Sequence, residues 1–236
     1  RLGTIFLLET WFFLNLCLNG NKIICQWKDH GVAWSLYYDS QYDRFFEPQR
    51  GNIVVDAGAH VGVYALKTAR KVGYKGLVVA IEPYEINYQF LLKNISINNY
   101  GNIIPVKCAL ANFEGRAKFF IKASNVSHSL VKASWNSPIV KVIEVDVTTL
   151  DSLLRKLGID KVDLLKINVE GAELEVLKGS KSYLSKRQIF NIVLTTHPPH
   201  EQEARKVAEY LKTFSYKIKV VNLRGRKVIY ATCGVK

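Results

Sequence analysis

From residue 51 onward, short apolar runs alternate with amphipathic stretches of helical spacing. The runs are rich in β-branched residues and apolar on both faces, which is typical of buried parallel strands, and they cover 52–58, 77–82, 102–110, 162–169 and 189–196. The predicted helices cover 60–73, 84–99, 149–157, 170–179 and 200–213. This alternation is the signature of consecutive βαβ units. It predicts an α/β fold with a doubly wound, mainly parallel, Rossmann-like sheet.

Two stretches depart from the alternation. Residues 116–122 and 139–145 are predicted as an added pair of strands with a polar loop between them. The end of the chain, 216–233, is predicted as two strands joined by a tight turn at Arg224-Gly225-Arg226. The sheet is therefore expected to finish in a C-terminal antiparallel hairpin.

Residues 1–50 differ from the rest, because they are rich in aromatic side chains and carry no βαβ pattern. We interpret them as a cap segment on a main domain of residues 51–236, since 236 residues suit one domain with a small addition. The apolar run at 5–18 is interrupted by Glu9 and Asn15 and is too short for a transmembrane segment. It is predicted as a packing helix, with peripheral membrane contact as the alternative.

The charge is strongly basic, with 33 Lys and Arg against 20 Asp and Glu, a net charge of +13. Of these, 15 basic and 7 acidic groups lie in residues 161–236. Such a balance admits anionic partners of three kinds: nucleic acid, an acidic glycan or an acidic membrane surface. The four cysteines form no CxxC motif, which disfavours a zinc site, and four free thiols favour a cytoplasmic location.

Ligands of open parallel sheets bind outside the carboxyl ends of the strands, so the residues after each apolar run are the candidates. The first run leads into the pattern Asp56-x-Gly58-x-x-x-Gly62. A dinucleotide-binding turn would carry glycine in place of Asp56. The acid disfavours a pyrophosphate here and favours a ligand with positive charge, while a tight structural turn is the alternative.

The second run ends in Glu82, followed by Pro83. An acid at the end of the second strand is placed to accept hydrogen bonds from both hydroxyls of a ribose. Together with the Asp56 turn, this acid predicts an adenosine-type cofactor.

Four segments, VVDAGAHVG, AIEPYEINYQFLLKNISIN, CALANFEG and DLLKINVEGAELEVLKG, occur in this order between about residues 52 and 200. Together they resemble the FkbM-type S-adenosylmethionine-dependent methyltransferases. The resemblance implies a class I methyltransferase fold, S-adenosyl-L-methionine as cofactor, and O-methylation of a sugar, glycan or small molecule. The implied cofactor-binding residues are Asp56, Gly58, Gly62, Glu82, Ala109, Asn112 and Asn168. His60 faces the same turn and is a further candidate for cofactor binding, with a packing role as the alternative.

A sugar hydroxyl is a poor nucleophile, so a nearby base assists its methylation. Glu170 and His197 are the candidate catalytic residues, with a structural or substrate-contact role as the alternative for His197. His128, in the polar loop, is a candidate substrate contact. Asn168 stands where the resemblance implies an aspartate, and Thr195 stands where it often implies a glutamate. A divalent metal prefers charged oxygen ligands of this kind, so no metal is predicted.

The tip of the hairpin adds a basic group to this picture. Arg224 and Arg226 are predicted to contact an anionic group of the substrate, because the turn should emerge at the cofactor edge of the sheet. Two other functions stay open. One is RNA methylation, which the positive charge favours. The other is cofactor binding without turnover, which is favoured because Asn168 and Thr195 stand where the resemblance implies carboxylates.

Overall fold

The computed structural model describes most of the chain, namely residues 13–18, 20–26, 41–123, 127–132, 137–196, 201–223 and 226–234. The strands within these residues are β1 (Phe13–Leu18), β2 (Asn21–Gln26), β3 (Ile53–Ala57), β4 (Leu77–Ile81), β5 (Ile103–Val106), β6 (Ala109–Leu110), β7 (Gly115–Lys122), β8 (Ile139–Thr148), β9 (Val162–Ile167), β10 (Ile189–Thr196), β11 (Lys217–Leu223) and β12 (Arg226–Thr232). The helices are α1 (Val63–Val72), α2 (Glu85–Ile97), α3 (Leu150–Lys156), α4 (Glu173–Lys178), α5 (Lys181–Ser185) and α6 (Glu201–Lys212).

Seven strands form the central sheet, in the order β11-β12-β10-β9-β3-β4-β5. The strands from β10 to β5 pair in parallel, β12 is antiparallel to β10, and β11 is antiparallel to β12. The strand β11 therefore runs in the same direction as the parallel strands. The predicted fold class, a mainly parallel sheet with a C-terminal antiparallel hairpin, is confirmed.

Helices cover both faces of this sheet. On one face α1 and α2 pack on residues such as Val54 and Leu164, and on the other face α3 to α6 pack on residues such as Val55 and Leu165. Neighbouring residues of one strand thus belong to opposite cores, which explains why the runs are apolar throughout. Helix α3 begins where Thr149 Oγ1 accepts a hydrogen bond from the Ser152 amide at 3.1 Å.

The added strands form a separate sheet in the order β6-β8-β7. The run predicted over 102–110 is divided into β5 and β6, so that the chain leaves the central sheet after Val106 and joins β8 at Ala109. The second added strand, β8, continues to Thr148 rather than ending at residue 145. This smaller sheet stands at the carboxyl end of β5, beside the central sheet.

The expectation of a helix over residues 5–18 is wrong for residues 13–18. These form β1, which pairs antiparallel with β2, with Leu18 opposite Asn21. The sequence signal for this hairpin is Asn19-Gly20, a dipeptide that favours tight turns between strands, and Gly20 has a φ of 79°. Residues 1–12 and 27–40 lie outside the described residues, so the assignment of 1–50 as a cap stays a prediction.

The hairpin is attached to α2 by two asparagine side chains. Asn94 accepts from the Ile24 amide at 2.7 Å and donates to the Ile24 carbonyl at 2.9 Å. Asn98 makes the same pair of bonds with Lys22, at 2.8 and 2.7 Å. Both asparagines therefore hold the backbone of β2 and not its side chains.

Residues 41–47 form a second attachment, on the α1 face of the sheet. Asp43 pairs with Lys67 at 2.9 Å and with Lys71 at 2.8 Å, and the Tyr230 hydroxyl donates to the Gln41 carbonyl. The buried ring of Tyr42 lies between these contacts. In the described part of the chain, no helix is both long and apolar enough to span a membrane.

Candidate active site

A cleft opens at the carboxyl ends of β3, β4 and β9, where the sequence placed the candidate site. The space within it is about 850 Å³ when the open solvent at its mouth is included. Among the predicted site residues, those in its lining are Gly58, His60, Glu82, Ala109, His128, Asn168 and Glu170. Apolar side chains of Ile81, Leu110, Phe119 and Leu130 form much of the remaining wall.

The turn after β3 is shaped by Gly58. Its φ is 80°, and a Cβ atom added there would lie 2.1 Å from the carbonyl oxygen of Asn168. Because no side chain fits, the backbone of the turn itself forms the cleft wall. Gly62 also has a positive φ, but its open side is filled by Leu91 of α2, and it is not part of the lining found among the described residues.

Asp56 lies beneath the cleft and is completely buried. Its Oδ1 accepts a hydrogen bond from Lys166 Nζ at 2.7 Å, across the register pair that joins β3 and β9. Burial raises the pKa of Asp56, and the ammonium of Lys166 opposes this rise. The positive charge expected beside Asp56 is thus supplied by the chain's own lysine.

Glu82 is buried in the cleft wall with both carboxylate oxygens engaged. Oε2 accepts from the backbone amide of His60 at 2.9 Å, and Oε1 accepts from the backbone amide of Tyr84 at 3.0 Å. Burial raises the pKa of Glu82 to about 7, against the lowering effect of these amides. His60 has a φ of 53°, so the turn after β3 bends to bring its amide to Glu82.

The segment after β9 forms the opposite wall. The amide of Asn168 donates to the Ala57 carbonyl at 3.0 Å, while its side-chain Oδ1 is buried and has no hydrogen-bond partner among the described residues. Glu170 is 7% exposed and has a φ of 58°. Its carbonyl accepts from Ser129 Oγ at 2.7 Å, which ties this segment to the loop between β7 and β8.

His128 lies in that loop and is buried in the cleft wall. Its Nδ1 accepts from the Lys122 amide at 3.1 Å, and its ring meets the ring of Tyr84 edge-on at a centroid distance of 4.9 Å. The histidine predicted to contact substrate therefore faces the same cleft as the predicted cofactor residues.

Two other predicted residues that the structure describes, Asn112 and Arg226, are not among the residues that line the cleft. Asn112 is exposed and is not found in the lining, although its neighbour Ala109 is. Arg226 is exposed beside Lys227, which pairs with Thr196 at the carboxyl end of β10, so Arg226 stands at the edge of the sheet where the cleft opens. His197 and Arg224 lie outside the described residues.

Sequence reasoning missed Lys166 and the two tyrosines around it. Lys166 is 2% exposed, and its Nζ lies 5.4 Å from the ring centroid of Tyr42 and 5.9 Å from that of Tyr64. A signal was present, since a lysine inside the apolar run VDLLKINV must find a buried partner. Within the described residues no group of three or more His, Cys, Asp or Glu is arranged to hold a metal, and the absence of a metal stays a prediction.

The comparisons with known proteins agree with this architecture. The model of the methyltransferase FkbM domain matches residues 56–218. Methyltransferase 1 of Beauveria bassiana is 26% identical in an alignment of length 161 that covers 61% of this chain and 64% of the relative. The hexuronic acid methyltransferase AglP of Haloferax volcanii is 29% identical over 140 residues, 58% of this chain and 54% of that protein.

A crystal structure of a methyltransferase FkbM from Methylobacillus flagellatus superposes with a TM-score of 0.57 at 21% identity, over 84% of this chain and 47% of that one. The chain spans about three fifths of the length of the curated relatives it matches. The family model covers more than half of the chain, including the end of β3, the parallel strands β4, β5, β9 and β10, and the residues that line the cleft. The chain belongs to the FkbM family of S-adenosyl-L-methionine-dependent methyltransferases.

Proposed function

We propose that this chain transfers a methyl group from S-adenosyl-L-methionine to a hydroxyl oxygen of a sugar or glycan that carries an anionic group. The observation that carries the proposal is Glu82, a buried carboxylate held by two backbone amides in the wall of a cleft at the strand ends. An acid in this place suits a ribose, and the family supplies the cofactor to which that ribose belongs.

The residues of the cleft fit this cofactor in three respects. Oε2 of Glu82 accepts one backbone hydrogen bond and keeps a second lone pair, while Oε1 accepts from the Tyr84 amide and, at 3.5 Å, from Asn87 Nδ2. One ribose hydroxyl can therefore bind at Oε2, and a second can take the place of the long Asn87 contact at Oε1. The turn at Gly58 leaves its backbone exposed to a ligand, because no Cβ fits there. The buried Oδ1 of Asn168 offers an acceptor for a donor such as the ammonium of the methionine part.

The cofactor supplies an electrophilic methyl group bound to a sulfonium, so the protein's task is to align and deprotonate the acceptor. Glu170 is the described residue suited to take the hydroxyl proton, since its side chain is buried and lines the cleft. The bond from Ser129 Oγ to its carbonyl fixes the backbone that presents it. His197, outside the described residues, is the second candidate base.

The anionic character of the acceptor is supported by charge and by one relative. The hexuronic acid methyltransferase named above acts, by its name, on an acidic sugar. Arg226 and Lys227 of this chain lie at the carboxyl edge of the sheet, next to the end of β10. We place the acceptor's anionic group near this edge.

Cofactor binding is tested first, by titration calorimetry with S-adenosylhomocysteine, the demethylated product. The Glu82→Ala variant should bind about 100-fold more weakly, because it loses the acceptors for the ribose hydroxyls, and two hydrogen bonds to a charged group amount to about 3 kcal/mol. Glu85→Ala is the matched control, since Glu85 is exposed and its described contacts are with two exposed side chains, Lys107 and Gln89. Equal affinity of both variants would refute the assignment of Glu82.

The acceptor is tested by methyl transfer to oligosaccharides that contain uronic acids, to their neutral counterparts and to total RNA. We expect turnover on the acidic sugars and a strong loss of kcat, with unchanged cofactor affinity, in Glu170→Gln. Transfer to RNA alone would replace the proposed acceptor. Cofactor binding with no transfer to any of these acceptors would favour a non-catalytic relative.

A further inference from the structure

Lys166, in β9, connects this strand to Asp56 of β3 and to the turn at Gly58, at the floor of the cleft. Its Nζ donates to Asp56 Oδ1 at 2.7 Å and to the carbonyl of Gly58 at 2.9 Å. Burial opposes the charge on this amine, but Asp56, Tyr42 and Glu82 together outweigh that effect, and the pKa of Lys166 is raised. The lysine therefore keeps its proton and presents a fixed positive charge directly beneath the Gly58 turn.

The Gly58 turn is held from both sides by the segment of β9. Lys166 binds its carbonyl from beneath, and the carbonyl of Asn168 occupies the space where a Cβ would be. The amide of Gly58 donates to Ile81 at 3.0 Å, which links the same turn to the strand that leads to Glu82. A displacement of the Lys166 ammonium would therefore change the wall on which the cofactor rests.

Two aromatic rings complete the surroundings of the ammonium. Tyr42 and Tyr64 lie with their ring centroids 5.4 Å apart, edge to face, and both rings lie within 6 Å of Lys166 Nζ. This is the range in which the ring face attracts a cation. Tyr64 belongs to α1, inside the family match, whereas Tyr42 lies 14 residues before the match begins at residue 56.

Tyr42 is held in place by its own neighbours. Its hydroxyl lies 3.4 Å from Thr195 Oγ1 of β10. The next residue, Asp43, accepts from the Tyr64 hydroxyl at 3.2 Å and pairs with Lys67 and Lys71 of α1. The segment 41–47 is thus fastened to α1 on one side and to the strands β10 and β12 on the other.

We propose that Lys166 is a positioning residue for the cofactor, and that Tyr42, from outside the family-matched region, sets the position of its ammonium through the face of its ring. On this proposal the family core does not form a complete cofactor site by itself: residues 41–47 supply one of the surfaces that hold the Gly58 turn. The proposal rests on the proposed function, since it assumes that S-adenosyl-L-methionine binds in this cleft.

The test compares Tyr42→Leu with Tyr183→Leu, using calorimetric titration with S-adenosylhomocysteine together with thermal unfolding. Tyr183 is a buried tyrosine outside the cleft lining, and its hydroxyl donates to the carbonyl of Ile159. Both variants should lower the melting temperature. Only Tyr42→Leu should weaken the cofactor analogue, by about tenfold, whereas Tyr42→Phe, which keeps the ring, should stay within about twofold.

A second series protects the test against loss of folding. Tyr42 is replaced by phenylalanine and by the mono-, di- and trifluorinated forms of phenylalanine. These forms keep the shape of the ring and progressively remove the negative potential of its face. The dissociation constant should rise with each fluorine while Lys166 is present. It should stay constant in a background that carries Lys166→Met together with Asp56→Leu, in which no charge is left buried without a partner. The role of Tyr42 is contradicted if the dissociation constant shows no trend while Lys166 is present. It is also contradicted if the same trend persists in the background with both replacements.

The outcomes separate the inference from the function beneath it. Failure of the unmodified chain to bind S-adenosylhomocysteine would refute the proposed function. Normal binding by the unmodified chain, with equal affinity in Tyr42→Leu and Tyr183→Leu, would refute only the inference about Tyr42 and Lys166.

Discussion

Two neighbouring strands, β3 and β4, each carry a buried carboxylate at or just after their carboxyl end, and the two carboxylates differ in their partners. Asp56 is paired with a lysine of the same sheet and lies below the cleft. Glu82 is held by backbone amides, has its pKa raised to about 7, and belongs to the cleft wall. The difference teaches that a buried acid with a full countercharge supports the backbone, whereas one held only by neutral donors is available to a ligand.

The largest effect is expected at the paired carboxylate. Lys166→Met leaves Asp56 buried without its countercharge and should lower the free energy of unfolding by about 3–5 kcal/mol, measured by urea denaturation. Lys107→Met is the control, because the pair of Lys107 with Glu85 is exposed and should contribute little to the free energy of unfolding. Joint replacement, Asp56→Leu with Lys166→Met, should recover much of the loss, and no recovery would mean that the lysine acts by packing alone.

A smaller loss is expected from Gly58→Ala, in the turn that Lys166 supports. A Cβ atom there would lie 2.1 Å from the Asn168 carbonyl oxygen, and the φ of 80° is itself strained for alanine. The free energy of unfolding should therefore fall by about 2–4 kcal/mol. Gly158→Ala has a comparable φ of 68° with open space around it and should lose only about 1 kcal/mol. Similar losses at the two sites would show that the close approach to β9 is unimportant.

The Glu82 carboxylate gives a pH dependence that Asp56 should not give. Only the charged acid accepts from two ribose hydroxyls, so with a pKa of about 7 the affinity for S-adenosylhomocysteine should be constant above pH 8. It should then fall by about tenfold per pH unit below pH 7. Calorimetry between pH 5.5 and 8.5 measures this, and Glu82→Gln should bind weakly with a flat profile. A sloping profile in Glu82→Gln would assign the titration to another group.

The smallest effect is expected at the edge of the sheet, away from both carboxylates. Arg226→Ser should raise KM for an anionic sugar acceptor about threefold to tenfold and leave cofactor affinity unchanged, because the exposed charge attracts only the acceptor. Lys212→Ser, at the far end of α6, removes one basic group from the opposite edge and serves as the control. If the two variants behave alike, the basic edge acts only through net charge.

The sequence predicts the local part of this architecture and misses contacts between distant segments. The apolar runs locate each parallel strand, and Glu82 was found because an acid at a strand end is a local signal. The partner of Lys166 is 110 residues away, and the hydroxyl contact of Tyr42 spans 153 residues, so neither could be read from spacing. The run at 5–18 was misjudged in its second half because its apolar content hid the turn signal at Gly20.

The asparagines of α2 have a consequence for how the N-terminal hairpin meets other molecules. By accepting from the amides and donating to the carbonyls of Lys22 and Ile24, Asn94 and Asn98 make the bonds that a third strand would make. An open strand edge invites pairing with another chain, and here a helix closes it. Aspartate at either position would lose the amide donor and leave one backbone carbonyl of β2 without its hydrogen bond. The edge of β2 would then be open to pairing with a strand of another chain, which promotes aggregation.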